Sequence, residues 1–595
     1  MEDAPSENPR RRVRRVIGWT ALAVLLVVIA ASAWVVTRVL AVNGEAQALA
    51  TLEGDARTAI AKGDVGRLDA IAREFDTRTE AAAAAVGDPI WRAAEIVPLA
   101  GPNLQAIRVT VEQLRTLSTS VASPTAQALE GIGDRGLMAD GAIDLAVVES
   151  LHETAARAST SLEKVRSRLN AISTGATVDQ VRDGVDQARR LTTTLSASLG
   201  PMADITGVLP AVLGGDEERT ILVMFQNNAE LRSGGGITGS FAEIRAKNGA
   251  LRLVRQADSS DFRPADEDVE PVPETTSAVY GDTVGRFVQN ATSTPDFDLS
   301  GRLASTWWKK LTGHAPDVVI AIDPIVLRAL LPVTGELTLP DGTALTHDTF
   351  VRDVLVDPYL ALTGSEQSEY FAALTERYFT ALTSSPTSPS AFFSALRTPV
   401  EQGRVSVWSA HDDEAAVFAA SVFGGPRARH IAAGPGAFAL YFNDSTGGKM
   451  DSRLGVAVGA VSATCRADNH AVVAVQVTLR NDAPADAGSR WPLSMTGGGH
   501  WGVEAGHIGT VVSAAAPSEW LFGGTRKNGE LAGAVDVIDG GSPTSALEVD
   551  LAPGESVELE FRFVSPVAGA VEPTLLRTPL LRAADEREPA PLTCG

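Results

Sequence analysis

The feature that most constrains this chain is the uncharged run of 22 residues from Val16 to Thr37, which directly follows Arg10, Arg11, Arg12, Arg14 and Arg15. As a helix such a run reaches about 33 Å, enough to cross a hydrocarbon core of about 30 Å. Trp19 and Trp34, near its ends, suit the two membrane interfaces. Because Lys and Arg flanking a span stay on the cytoplasmic side, the pattern predicts a plasma-membrane protein with a cytoplasmic tail at residues 1–15 and a transmembrane helix at 16–37. Everything after about Arg38 is then extracytoplasmic. A cleaved signal peptide competes with this, since Ala31-Ser32-Ala33 resembles a cleavage site. Its apolar core, however, would exceed the usual run of about 7–15 residues.

Charge narrows the partners. With 51 basic against 73 acidic residues the net charge is -22, so the chain's field repels nucleic acid, and no nucleic-acid partner is expected. The bilayer is the expected partner of residues 16–37. The two cysteines, Cys465 and Cys594, both follow the span. In an oxidising compartment they are expected to form a disulfide that fastens the chain end.

With 595 residues, 44% of them hydrophobic, the chain has material for several cores. An α+β multidomain architecture is expected: the transmembrane helix, a helical stalk at 38–205, an α/β domain at 206–430 and a C-terminal β-sandwich at 431–595. The stalk rests on two amphipathic stripes. Leu104, Ile107, Val111, Leu114 and Leu117 form one; Val178, Val181, Val185, Ala188, Leu191 and Leu195 form the other. Pro89, Pro98, Gly101 and Pro102 interrupt the stalk and predict a corner. "RTILVMFQ" reads as a buried strand, and Phe241–Arg255 as a hairpin turning at Asn248-Gly249. "SGRLASTWWKKLTG" and "PIVLRALLPVTG" read as helices, with "DVVIAID" a strand between them. From about Gly436 short strands separated by Gly, Asp and Pro replace helices, the texture of a sandwich.

"ILVMFQNNAELRSGGGITGSFAEIRAKNGAL", "NATSTPDF", "DVVIAIDPIVLRALLPVTGEL" and "LYFNDSTGGKMDSRL" resemble the blocks of the domain-of-unknown-function family numbered 4012. Ser233, Gly234 and Thr238 depart from its usual glycine block. The resemblance implies a membrane-anchored protein of the actinobacterial cell envelope and brings no reaction with it. Cytoplasmic tail, single anchor and "VVIAIDPIVLRALLPVTGELTL" are also similar to the LytR-CpsA-Psr family. That family transfers glycopolymers from polyprenyl diphosphate carriers; the resemblance would give its arginine and acid roles to Arg232, Arg245, Arg255, Asp258 and Asp261.

The loop behind the first strand holds the candidate ligand-binding residues: Asn227, Asn228, Glu230, Arg232, Gly234, Gly235 and Gly236. The glycine amides and Arg232 can form an anion nest, and the amides and Glu230 can bind glycan hydroxyls. A self-satisfied polar turn explains the same residues. Asp258 and Asp261 open an acidic loop that is either solvated or holds a divalent cation such as Ca²⁺ or Mg²⁺, at a spacing that fits no EF-hand. No other cofactor is expected. His500 and His507 lack a third ligand at recognisable spacing, and "STGGKMD" around Lys449 lacks the phosphate-loop pattern. The function expected is binding or organising wall or exported polymer, the alternative being glycopolymer transfer from a polyprenyl-linked glycan.

Overall fold

The computed structural model describes residues 9–62, 64–135, 138–139, 142–384, 389–459, 462–586 and Cys594. Residues 1–8 of the expected basic tail lie outside the described residues. The chain divides into two compact units, residues 1–135 with 149–204 and residues 136–148 with 205–595.

The first unit is helical. Helix α1 (Pro9–Lys62) runs unbroken for 54 residues. Ile17, Trp19 and the run Val24 to Ile29 are exposed, so this part is apolar all round with no described residue packed on it. It is long and apolar enough to cross a membrane. From Val42 on, α1 turns amphipathic. Val42 packs with Ala82, Ala85 and Val86 of α2 (Val65–Val86), and Leu52 and Ala59 pack with Ile71.

The expected corner follows. Asp88 caps a short helix, Pro89–Ala94, Leu99 takes a φ of 71°, and α3 (Gly101–Leu117) starts with Pro102 in its first turn. Proline is tolerated in a first turn because its missing N–H has no helical acceptor there. Trp91 is fully buried, and its indole N–H donates to the Leu104 carbonyl at 3.2 Å.

After a wider helical turn at Ser118–Ala122 the chain continues as α4 (Ser123–Arg135), then α5 (Leu145–Asn170) and α6 (Asp179–Val212). Leu162 meets Leu117 and Val121, while Val165 and Leu169 meet Ala188. The two expected stripes therefore face a shared core, with one correction. Val178 is 53% exposed because it precedes the first residue of α6. Helix α6 also has the length and apolarity of a span, yet Val185, Ala188 and Thr192 are buried.

The second unit is built on a seven-stranded sheet. Its main strands are β1 (Arg219–Asn227), β2 (Ile237–Lys247), β3 (Ala250–Asp258), β4 (Val318–Ile322) and β5 (Val405–Ser409). They lie in the order β3-β2-β1-β4-β5, with Met138–Ala139 and Ala142–Ile143 added beyond β3. Only the β1–β4 pair is parallel. The β2–β3 hairpin turns at Asn248 and Gly249, both at positive φ (51° and 79°), as a tight two-residue turn requires.

Alternation along the strands makes two apolar faces. Leu222, Met224, Phe241, Val319 and Ala321 pack on α7 (Phe297–Thr312) through Trp307 and Trp308. Ile221, Val223, Ala242 and Val318 look the other way, onto Val212 and Phe418. Helices α8 (Pro324–Thr334) and α9 (Gly364–Ser384) contribute to a further core with Leu327, Leu330 and Leu374.

Beyond residue 436 two sheets pack face to face. One contains β6 (Ala437–Asp444), β9 (Ile508–Ala515) and β11 (Ser542–Leu551); the other contains β7 (Leu454–Val458), β8 (His470–Asn481), β10 (Leu521–Lys527) and β12 (Ser556–Ala568). Phe438, Leu440 and Phe442 of the first meet Val473, Val475, Val477, Phe561 and Phe563 of the second. Inward-facing residues at every second position are the signature of a sandwich. Helices do not vanish here entirely: Ala487–Arg490 and Leu493–Thr496 form single turns. Cys465 and Cys594 are disulfide-bonded. The regions expected as 206–430 and 431–595 both lie in this one unit.

Candidate functional site

A cavity of about 550 Å³ opens between strands β1 to β3 and helices α8 and α9. The sheet supplies Val223, Phe225, Ile244 and Leu253, and α8 supplies Leu327 and Leu330. The opposite wall is α9, whose sequence "YFAALTERYFTAL" sets Phe371, Leu374, Tyr378 and Leu382 at spacings of three and four, one face of a helix.

Gln226, Asn227, Thr238, Ser240, Asp258, Tyr359 and Lys449 add polar groups to the lining. Asn227 donates from Nδ2 to the Tyr359 hydroxyl at 2.9 Å and accepts the Ala229 amide at 2.9 Å. The Lys449 ammonium lies 5.0 Å from the Tyr359 ring centroid and forms an ion pair with Glu230. Burial lowers the Lys449 pKa, but Glu230, with Tyr359 and Asp444 beside it, more than offsets that and holds the ammonium above its ordinary value. Burial also raises the Tyr359 phenol, against the opposing pull of Lys449. Gln226 Nε2 and Thr238 Oγ1 are buried without a hydrogen-bond partner among the described residues. These are unspent polar groups in residues that line an otherwise apolar space.

The glycine-rich loop takes a different place from the one its composition suggests. Gly234 donates to the Thr292 carbonyl at 3.0 Å and Gly235 to the Arg232 carbonyl at 2.8 Å. Their amides are consumed by the protein's own carbonyls and form no outward nest around Arg232. A Cβ on Gly236 would lie 2.4 Å from the Asn227 carbonyl, so the glycine there permits close backbone approach. Asn228 is fully buried, donating to Asp323 Oδ2 at 3.0 Å and to the Pro579 carbonyl at 3.3 Å. Of the seven candidate loop residues, only Asn227 lines the cavity.

Arg232 instead joins a buried charge cluster. It reaches Glu230 Oε1 at 3.3 Å, Asn290 Oδ1 at 3.2 Å and the Asp444 carbonyl at 3.3 Å. Asp451 accepts the Leu231 amide at 2.7 Å, and Asp444 accepts the Gly447 amide at 2.8 Å. Three carboxylates, of Glu230, Asp444 and Asp451, thus share two cations, Arg232 and Lys449. Burial first, then repulsion from Glu230, pushes Asp444 up to about 7, and burial with the Asp444 charge pushes Asp451 well up.

Asp258 lines the cavity, accepting the Ser260 amide at 2.9 Å and the Ser368 hydroxyl at 3.2 Å. Asp261 turns back to the Asp258 amide at 2.9 Å. Both carboxylates thus cap a local turn. Among the described residues no group of three or more His, Cys, Asp or Glu is placed to hold a metal ion. His507 meets Asp550 Oδ1 at 2.9 Å. Of the five residues assigned transferase roles by resemblance, only Asp258 is in the cavity lining; Arg245 pairs with Glu218 and Glu243.

Lys449, Tyr359 and the whole of α9 are absent from the sequence-derived site. The α9 stripe was open to periodicity. Lys449 was not, because its role depends on a contact with Glu230 across 219 positions.

Residues 216–359 match the family described as "Protein of unknown function (DUF4012)". No curated protein matches the chain.

Proposed function

We propose, from the premise that residues 216–359 belong to this family of unknown function, that the chain is a single-pass membrane protein of the cell envelope that binds an amphipathic, lipid-linked molecule in the α8–α9 cavity. One observation carries this: an apolar cavity of about 550 Å³ that has Lys449, Asn227 and Tyr359 in its lining, along with the unpartnered polar groups of Gln226 and Thr238. Ligand sites are typically concave and mostly apolar, with a few placed polar groups that fix orientation. A polyprenyl-linked glycan has both parts, a hydrocarbon chain for the helical wall and hydroxyls or phosphate for the polar groups.

The exposed apolar stretch of α1 supports anchoring, and the arginines before it favour a cytoplasmic N-terminus. A Cys465–Cys594 disulfide fits an oxidising exterior. Binding needs no reacting group, and handling or organising a wall or exported polymer follows from holding its carrier. Lys449 is the one cation among the described lining residues.

The experiment is titration of the detergent-solubilised full chain with a polyprenyl phosphate. Gly239 lines the cavity, and a Cβ there meets nothing within 4 Å. Gly239→Leu is expected to weaken binding at least about tenfold, on the order of 1.4 kcal/mol, with no loss of fold by circular dichroism. Unchanged affinity in that variant, or no saturable binding to the parent, would defeat the proposal.

A further inference from the structure

A second cleft of about 500 Å³ in the same unit has the opposite character. In a chain of net charge -22 it is lined by five arginines, Arg328, Arg404, Arg429, Arg577 and Arg582, against two acids, Glu401 and Glu586. Three of the arginines are spoken for. Arg404 pairs with Asp323 at 2.5 Å, Arg577 donates to Glu586 at 2.7 Å and Arg582 to Asp482 at 2.7 Å. Glu401 lies 3.8 Å from Arg397.

Two guanidinium groups are left. Neither Arg328 nor Arg429 has a carboxylate partner among the described residues. Arg328 Nε is buried without a hydrogen-bond partner among the described residues. Arg429 donates from Nε to the Gly425 carbonyl at 3.3 Å, and its guanidinium lies directly against Gly403, where a Cβ would fall 1.0 Å from Nη1. The missing side chain at Gly403 makes the room that Arg429 occupies. Burial lowers the Arg429 pKa, as expected for a cation drawn out of water without a counterion.

We propose that this cleft is an anion site that binds a phosphate group through the guanidinium groups of Arg328 and Arg429, which line the same cleft. Guanidinium forks match phosphate oxygens two at a time, which a lysine ammonium cannot do. Two uncompensated positive charges are neutralised by one phosphate dianion. A single carboxylate leaves one unpaired, so phosphate fits the charge count better. The cleft is distinct from the α8–α9 cavity: the two share no lining residue.

The probe is inorganic phosphate, titrated calorimetrically at pH 8 and low ionic strength into the full detergent-solubilised chain. Saturable binding at one site is expected. Arg328→Gln and Arg429→Gln each weaken it at least tenfold, and Arg328→Lys, which keeps the charge and loses the fork, gives an intermediate loss. Arg466→Gln, an exposed arginine paired with Asp468, leaves it unchanged. Arg328 is only half-buried, so its variants keep the test alive if Arg429→Gln folds poorly. Absence of saturable binding would overturn the proposal, as would affinity that ignores both Arg328 substitutions or falls equally in Arg466→Gln.

Discussion

Lys449 and Glu230 show how a single contact gives a site its character. A buried ammonium is costly unless paired, and breaking such a pair from one side strands the other charge. Lys449→Met is therefore expected to lower stability on the order of 3 kcal/mol, moderated by the Arg232 contact that Glu230 keeps. Adding Glu230→Gln should recover part of that loss, a coupling that chemical denaturation of the four members of the cycle measures directly. Asp444 and Asp451 carry a pH signature. Their folded pKa values are raised, so the folded state holds protons that the unfolded chain releases near pH 4. The Asp444 contribution to stability is full below that range and fades as pH rises through about 7, and the raised Asp451 pKa acts in the same direction. Melting temperature should fall between pH 5 and pH 8, and Asp444→Asn, which keeps an oxygen for the Gly447 amide, should flatten that fall. A wild-type profile that rises over the same range would contradict the pair's assigned environment.

Elements differ in how much of themselves they wrote into the sequence. β1, the β2–β3 hairpin, α7, β4 and α8 were all readable, because a short continuous apolar run, an Asn-Gly turn and a proline at a helix start are local signals. The stripe through Leu104, Val111 and Leu117 was equally local, and these residues are buried. The glycine-rich loop left two readings open, a ligand-facing nest and a self-satisfied turn, and composition could not choose between them for a physical reason. The Asn228 amide nitrogen and the Arg232 guanidinium donate to Asp323, the Pro579 carbonyl, Asn290 and the Asp444 carbonyl, partners up to 351 positions away that composition cannot reveal. Helix α9 has its own test. Leu374 is 4% exposed within the core it shares with Leu327 and Tyr378. Leu374→Ala should cost about 2–5 kcal/mol in denaturant unfolding, unless the adjoining cavity lets the wall relax, in which case the loss falls to the low end.

At the scale of the molecule, a long apolar helix, an α/β sheet and a two-sheet sandwich occur in one chain, and one covalent tie connects its tail to the sandwich. The Cys465–Cys594 bridge spans 129 positions. On loop-entropy grounds its removal by Cys465→Ser should cost about 2–5 kcal/mol, read as a lower denaturation midpoint that reducing agent reproduces in the parent. Binding of a lipid-linked molecule is the central claim, and native mass spectrometry of the full chain extracted in mild detergent tests it most directly. The expected spectrum contains an adduct with the mass of a polyprenyl phosphate or lipid-linked sugar, retained by the parent and lost in Gly239→Leu. A bare protein mass under conditions that preserve weak complexes, or an adduct retained equally by the variant, would contradict the assignment of the α8–α9 cavity as a lipid-linked ligand site.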